Sequence, residues 1–146
     1  MGAFLAAVLM LLLPLASAER TAAVVGAADS PVRLDRATVL AAAEGPPVLL
    51  YAATNLTGDQ LEQFTVIAFI FDAEGTLKAR QTSPGRRTLD AHATKYSTMV
   101  LDGSPVAATD VIVIGVNQAQ RVGSDTWWRT DLDAAAAAAA AHLKKQ

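Results

Sequence analysis

Two short, wholly apolar runs constrain this chain more than any other feature. Residues 64–71 read FTVIAFIF and residues 111–116 read VIVIGV. Both are rich in β-branched and aromatic residues. Turn signals bound them: Asp72-Ala73-Glu74-Gly75 follows the first run and Asp110 precedes the second. Segments this short and of this composition fold as strands rather than helices. Successive strand side chains point to opposite faces. Phe64, Val66, Ala68 and Ile70 then share one face, and Thr65, Ile67, Phe69 and Phe71 the other. Ile112, Ile114 and Val116 likewise oppose Val111, Val113 and Gly115. Both strands therefore need cover on two sides, and only one side is the core. For the other, three covers are on offer: an alanine-rich C-terminal helix, the segment 32–42, or a second protein chain. The internal covers are preferred, because alanine lets a helix approach a sheet closely.

The rest of the chain reads as more short strands. After Pro31, residues 32–42 mix helix and strand formers and are taken as a strand. Glu44-Gly45-Pro46-Pro47 breaks it. Residues 48–55 (VLLYAATN) form the next strand, closed by Thr57-Gly58-Asp59. Residues 77–82 return as the hairpin partner of 64–71. Residues 94–101 (TKYSTMVL) end at Asp102-Gly103-Ser104-Pro105, and Gly123-Ser124-Asp125 turns into a last strand at 126–130. Six to seven short strands with frequent turns predict an all-β, antiparallel β-sandwich over residues 32–130. A parallel α/β sheet fails on connectivity, because its crossovers need about a dozen residues of helix. The gap before Val111 is too short, and the gap before Thr94 holds Pro84-Gly85.

Both ends differ in kind. At the C-terminus, Asp131-Leu132-Asp133 leads into eight alanines, Ala134 to Ala141, and then His142-Leu143-Lys144-Lys145. Alanine has the best helix propensity, and acids before bases match the helix dipole. This predicts a helix over 131–146, capped by Thr130 or Asp131. Alone in water such a helix is marginal, so it leans on something or frays. At the N-terminus, residues 5–15 are apolar except for Pro14, and Ala16-Ser17-Ala18 precedes Glu19-Arg20. This is the pattern of a signal peptide, residues 1–18, cut after Ala18. It lacks a Lys or Arg before the apolar run, which in turn is shorter than the ~20 residues of a membrane span. The expected location is periplasmic or secreted, with residues 19–31 as a flexible lead-in.

Composition narrows the functional classes. The chain has no Cys, which excludes a lipidated Cys, disulfides and thiolate metal sites. The net charge of −2 argues against a nucleic-acid partner. No second apolar stretch is long enough to span a bilayer after leader removal. The two histidines, His92 and His142, lack metal-ligand spacing. Asp72-Ala73-Glu74-Gly75 lacks the alternating ligands of a calcium loop and reads as a turn. There is no G-x-S-x-G, H-E-x-x-H, P-loop or Cys nucleophile, so no residue is nominated as catalytic, and no metal or cofactor is expected.

The candidate binding residues are Trp127, Trp128, Arg129, Arg86 and Arg87. Adjacent strand residues face opposite ways, so one Trp enters the core and the other lies outside. An outward Trp beside Arg129 suits a sugar ring or a peptide. The plainer reading makes both rings packing residues, one of them under the alanine helix. Lys78, Arg80, Arg86 and Arg87 form a local basic group, fit for an anionic polymer or an acidic partner. More simply, they are a solvated edge that blocks strand-to-strand aggregation. Asn55-Leu56-Thr57 fits the N-glycosylation acceptor pattern, although Asn55 more simply ends a strand.

The order Asn55-Leu56-Thr57, then Leu61 to Phe71, then Asp72-Ala73-Glu74-Gly75 resembles a pattern in small immunoglobulin-like β-sandwich domains of exported bacterial proteins, including the FxLYD type. That pattern runs N-x-S/T…V-x-V-x-F-x-F-D-x-x-G. The chain departs from the FxLYD form in placing Phe71, not Tyr, before Asp72. Val122-Gly123-Ser124-Asp125-Thr126-Trp127 is similar to the DGS/T-x-W hairpin of such domains, with the turn residues reordered. The resemblance implies an immunoglobulin-like sandwich that serves as an accessory binding module and brings no catalytic residues. The chain is thus expected to be a non-catalytic module acting by protein–protein contact. Its expected surfaces are a sheet edge, the outer face of the two apolar strands, or the Trp128 region. The alternative is a carbohydrate- or polymer-binding module using Trp127 and Trp128, and a less favoured one is an enzyme whose site assembles from distant residues.

Overall fold

The β-branched and aromatic run at 64–71 forms the centre of a two-sheet sandwich. The computed structural model describes residues 19–83 and 87–146. The expected signal peptide, residues 1–18, and Arg86 lie outside them. In chain order the elements are β1 (Glu19–Thr21), β2 (Ala23–Val24), β3 (Val32–Leu40), β4 (Val48–Asn55), β5 (Leu61–Phe71), β6 (Leu77–Thr82), β7 (Thr94–Val100), β8 (Val111–Arg121), β9 (Trp127–Arg129) and α1 (Asp133–Lys144). One sheet has the order β1-β3-β4-β7. The other has the order β2-β8-β5-β6, with β9 also on β8. All pairings are antiparallel except that of β2 with β8.

Alternation places the core. Leu49, Tyr51 and Ala53 of β4 face Phe64, Val66, Ala68 and Ile70 of β5 and Ile112, Ile114 and Val116 of β8, with Val32, Leu34, Ala37 and Val39 closing the cluster. The opposite face of β5 and β8 is also buried. There Ile67, Phe69, Phe71 and Val113 pack with Leu132, Ala136 and Ala140. The alanine helix is therefore the second cover, as its composition suggested. Ala136 and Ala140 lie one turn apart and have almost no exposed surface. Each buried Phe or Ile side chain under this cover stabilises the fold by about 1.5–3 kcal/mol relative to exposure.

Gly115 makes this close approach feasible. A Cβ there would lie 2.5 Å from Leu132 Cδ1 and 2.7 Å from the Val25 carbonyl oxygen. The helix is fixed at the same end: Asp133 pairs with Arg80 at 2.7 Å, and the Asp133 N–H donates to Asp131 Oδ1. The capping position itself is Leu132, with no side-chain cap, so Asp131 acts from one residue earlier.

The lead-in expectation is corrected. Residues 19–24 form strands in both sheets: Glu19 pairs with Leu40, Thr21 with Thr38, and Ala23 with Val113. The chain crosses between the sheets at Ala22, which is buried in the core. Arg20 holds this segment down by donating to the carbonyls of Ala107, Ala108 and Asp110 at 3.1, 2.8 and 2.6 Å. β5 and β8 also run further than their apolar stretches. Beyond the helix the outer face turns polar, with Gln63 bonded to Gln120 and Gln118 to Thr65.

Two outcomes follow from the helix cover. Gly115→Ala should cost roughly 1–3 kcal/mol in urea unfolding, and adding Leu132→Ala should recover only part of that, because the Val25 carbonyl remains in the way. Removing residues 131–146 should uncover Phe69 and Phe71. The truncated chain should then bind ANS and self-associate in sedimentation.

Candidate functional site

The β8–β9 hairpin sets the two tryptophans apart. Trp128 lies opposite Ala119 and packs against the central core, while Trp127 and Arg129 share the other side of β9. The Arg129 guanidinium sits over the Trp127 ring, 5.7 Å from its centroid. Neither indole belongs to the cluster under α1. Trp128 is tied by its polar tip, with Nε1 donating to Asp29 Oδ2 at 3.2 Å.

Trp127 and Trp128 are both among the residues that line a cleft of about 590 Å³. Its far wall comes from the turn at 28–31 and from Leu56 and Thr57, and Arg121, Ser124 and Thr126 complete it. The wall is held from behind by Asn55, which is fully buried. Asn55 Nδ2 donates to the carbonyls of Asp59, Leu89 and Asp90, and its Oδ1 accepts from the backbone N–H and hydroxyl of Thr57. The Leu56 N–H donates to the Pro31 carbonyl at 2.9 Å, joining the two turns. Asn55 is thus a structural pin. Its side-chain nitrogen is enclosed and fully engaged, which is incompatible with glycosylation in the folded state.

The described members of the basic group, Lys78, Arg80 and Arg87, each take a separate partner. Lys78 lies 2.5 Å from Asp110, whose side chain is nearly buried, and also donates to the Pro105 carbonyl. Arg80 goes to Asp133 of α1. Arg87 donates to the Tyr51 hydroxyl and lies over its ring, 5.7 Å from the centroid. Arg87 therefore does not join the tryptophans, and among the described residues no basic patch is assembled. Burial pushes the Tyr51 hydroxyl above its ordinary pKa, with Arg87 pulling the other way.

A sheet edge and a sheet face complete the survey. Gln81 of β6 reaches across to the Val100 carbonyl and the Gly103 N–H, so the facing edges of β6 and β7 are stitched by a side chain. The outer face of the β1-β3-β4-β7 sheet is apolar in its middle. Registers place Leu40, Val48 and Val100 in one row, Leu50 in the next and Tyr96 beyond it. Tyr96 is 68% exposed and Val100 45%.

Among the described residues, no group of three or more His, Cys, Asp or Glu stands close enough to hold a metal ion. Comparison of the chain with family models, curated proteins and solved structures returns no match.

Of the residues singled out in the sequence, Trp127 and Trp128 line the cleft and Arg129 does not, whereas Asp29, Leu56 and Arg121, which also line it, are not among those candidates. Asp29 is 99 positions from Trp128, and no local pattern links them. The one available signal was Asn55-Leu56-Thr57, which marks the turn that the cleft uses. Asn55→Ala should cost roughly 2–3 kcal/mol in chemical unfolding, because it strands several buried polar groups. Alkaline pH supplies a second check. An unfolded tyrosine ionises near pH ~10, whereas folded Tyr51 keeps its proton higher. Its contribution is complete below the unfolded value and is lost as pH rises through the folded one. Unfolding free energies measured across this range should fall more steeply in the native sequence than in Tyr51→Phe.

Proposed function

We propose that the chain is exported to the periplasm or beyond, is cleaved after Ala18, and works there as a non-catalytic, immunoglobulin-like module that contacts another protein. The observation that carries this reading is the open face of the β1-β3-β4-β7 sheet. Leu40, Val48 and Val100 form an apolar row, Leu50 extends it along β4 between Thr38 and Thr98, and the exposed Tyr96 stands beyond. Exposed apolar patches of this kind mark contact surfaces. Two of the surfaces expected from the sequence are taken up internally. α1 lies on the outer face of β5 and β8, and Gln81 occupies the β7 edge. Export is supported by the leader pattern at 1–18.

A photoreactive phenylalanine analogue in place of Tyr96 tests the reading in intact cells. Irradiation should give one adduct of defined mass outside the cytoplasm, and Val100→Asp should reduce it at least about tenfold. Absence of an adduct would remove the contact surface. Recovery of the protein from the cytosol with Met1 attached would remove the export step.

A further inference from the structure

We propose that the cleft between the β8–β9 hairpin and the turns at 28–31 and 56–57 binds a neutral oligosaccharide. This site is independent of the sheet-face contact. Its volume of about 590 Å³ lies within the range of ligand sites in general. Trp127 and Trp128 both belong to its lining, and an aromatic face is the usual apolar partner of sugar C–H groups. Both rings are oriented before any ligand arrives. Asp29 fixes the tip of Trp128, and Arg129, which is not part of the cleft wall, braces Trp127. The wall is equally fixed, through the Asn55 bonds and the Leu56–Pro31 link. A preformed cleft avoids the ordering cost that weakens mobile sites.

The charges in the wall select the ligand class. Asp29 supplies a carboxylate and Arg121 a guanidinium, and Arg121 is already 3.6 Å from Asp59. The two charges of the lining itself, one of each sign, sum to zero, which selects a ligand without net charge. A carboxylate accepts from hydroxyls and a guanidinium donates to them. A polyhydroxylated ligand with an apolar C–H face satisfies both charged groups and both rings. An apolar peptide side chain would cover Asp29 and Arg121 without replacing their water, which is unfavourable.

The test is titration of the purified protein, followed by NMR of the two indole N–H groups. The probes are cellohexaose, chitohexaose and maltohexaose, with the blocked peptide Gly-Leu-Ala-Gly as comparator. At least one glycan should shift both indole resonances and give transferred magnetisation from sugar C–H groups to the Trp127 ring. Trp127→Ala should weaken that binding at least about tenfold. The magnetisation transfer uses the unaltered protein, so it decides the matter even if the variant folds poorly. No shift with any glycan, a response to the peptide alone, or undiminished binding by folded Trp127→Ala would overturn the proposal.

Discussion

The pairing of β5 with β8 governs the structure, because both strands are apolar on both faces and neither can meet water on either side. A half-exposed sheet needs one cover, but this one needs two. The β1-β3-β4-β7 sheet supplies the first and a helix of alanines the second. That requirement accounts for several features otherwise hard to explain. It explains why the tail is helical and almost featureless, since small side chains let it lie low. It explains a glycine within a strand where β-branched residues are otherwise the rule, since Gly115 leaves the space that Leu132 and Val25 occupy. It also explains why the outer face changes to glutamine and threonine beyond the reach of the helix.

Charged residues reinforce the same plan by joining segments far apart in sequence. Arg20 holds the loop that carries Ala107 and Ala108, Asp110 of that loop accepts from Lys78 of β6, and Arg80 two residues on reaches Asp133 of α1. The entry strand, the loop before β8, the edge of the second sheet and the helix are thus linked by side chains. The nearly buried Asp110 is the costly member. Without Lys78 its carboxylate would keep the hydrogen bond from the Ala107 N–H but lose its counter-charge, which destabilises a nearly buried acid.

How much of this was legible depended on how local the signal was. The apolar runs, the Asp72–Gly75 turn, the strand at 48–55 and the alanine helix each carry their own signature, and they appear where the sequence places them. Residues 19–24 carried none: they are short, small and mixed, and their strand character comes from the edges they meet on β3 and β8. Lys78, Arg80 and Arg87 were visible as part of a cluster in sequence, but their partners, Asp110, Asp133 and Tyr51, lie elsewhere in the chain. Only tertiary structure could show that these cations are engaged. The cleft was half legible for the same reason. Two adjacent tryptophans stand out, whereas the wall opposite them is built from turns whose local chemistry says only that the chain bends.

Alanine in the cover has a further consequence for the freedom of this surface to change. Ala136 and Ala140 press on the sheet, but Ala134, Ala135, Ala137, Ala138 and Ala141 face solvent and pack against nothing. Inward positions can hardly grow without lifting the helix, while outward ones accept almost any helix-compatible side chain. The back of α1 is therefore a ready place to attach a fluorophore, a tether or a second module, with the cleft and the open sheet face left undisturbed.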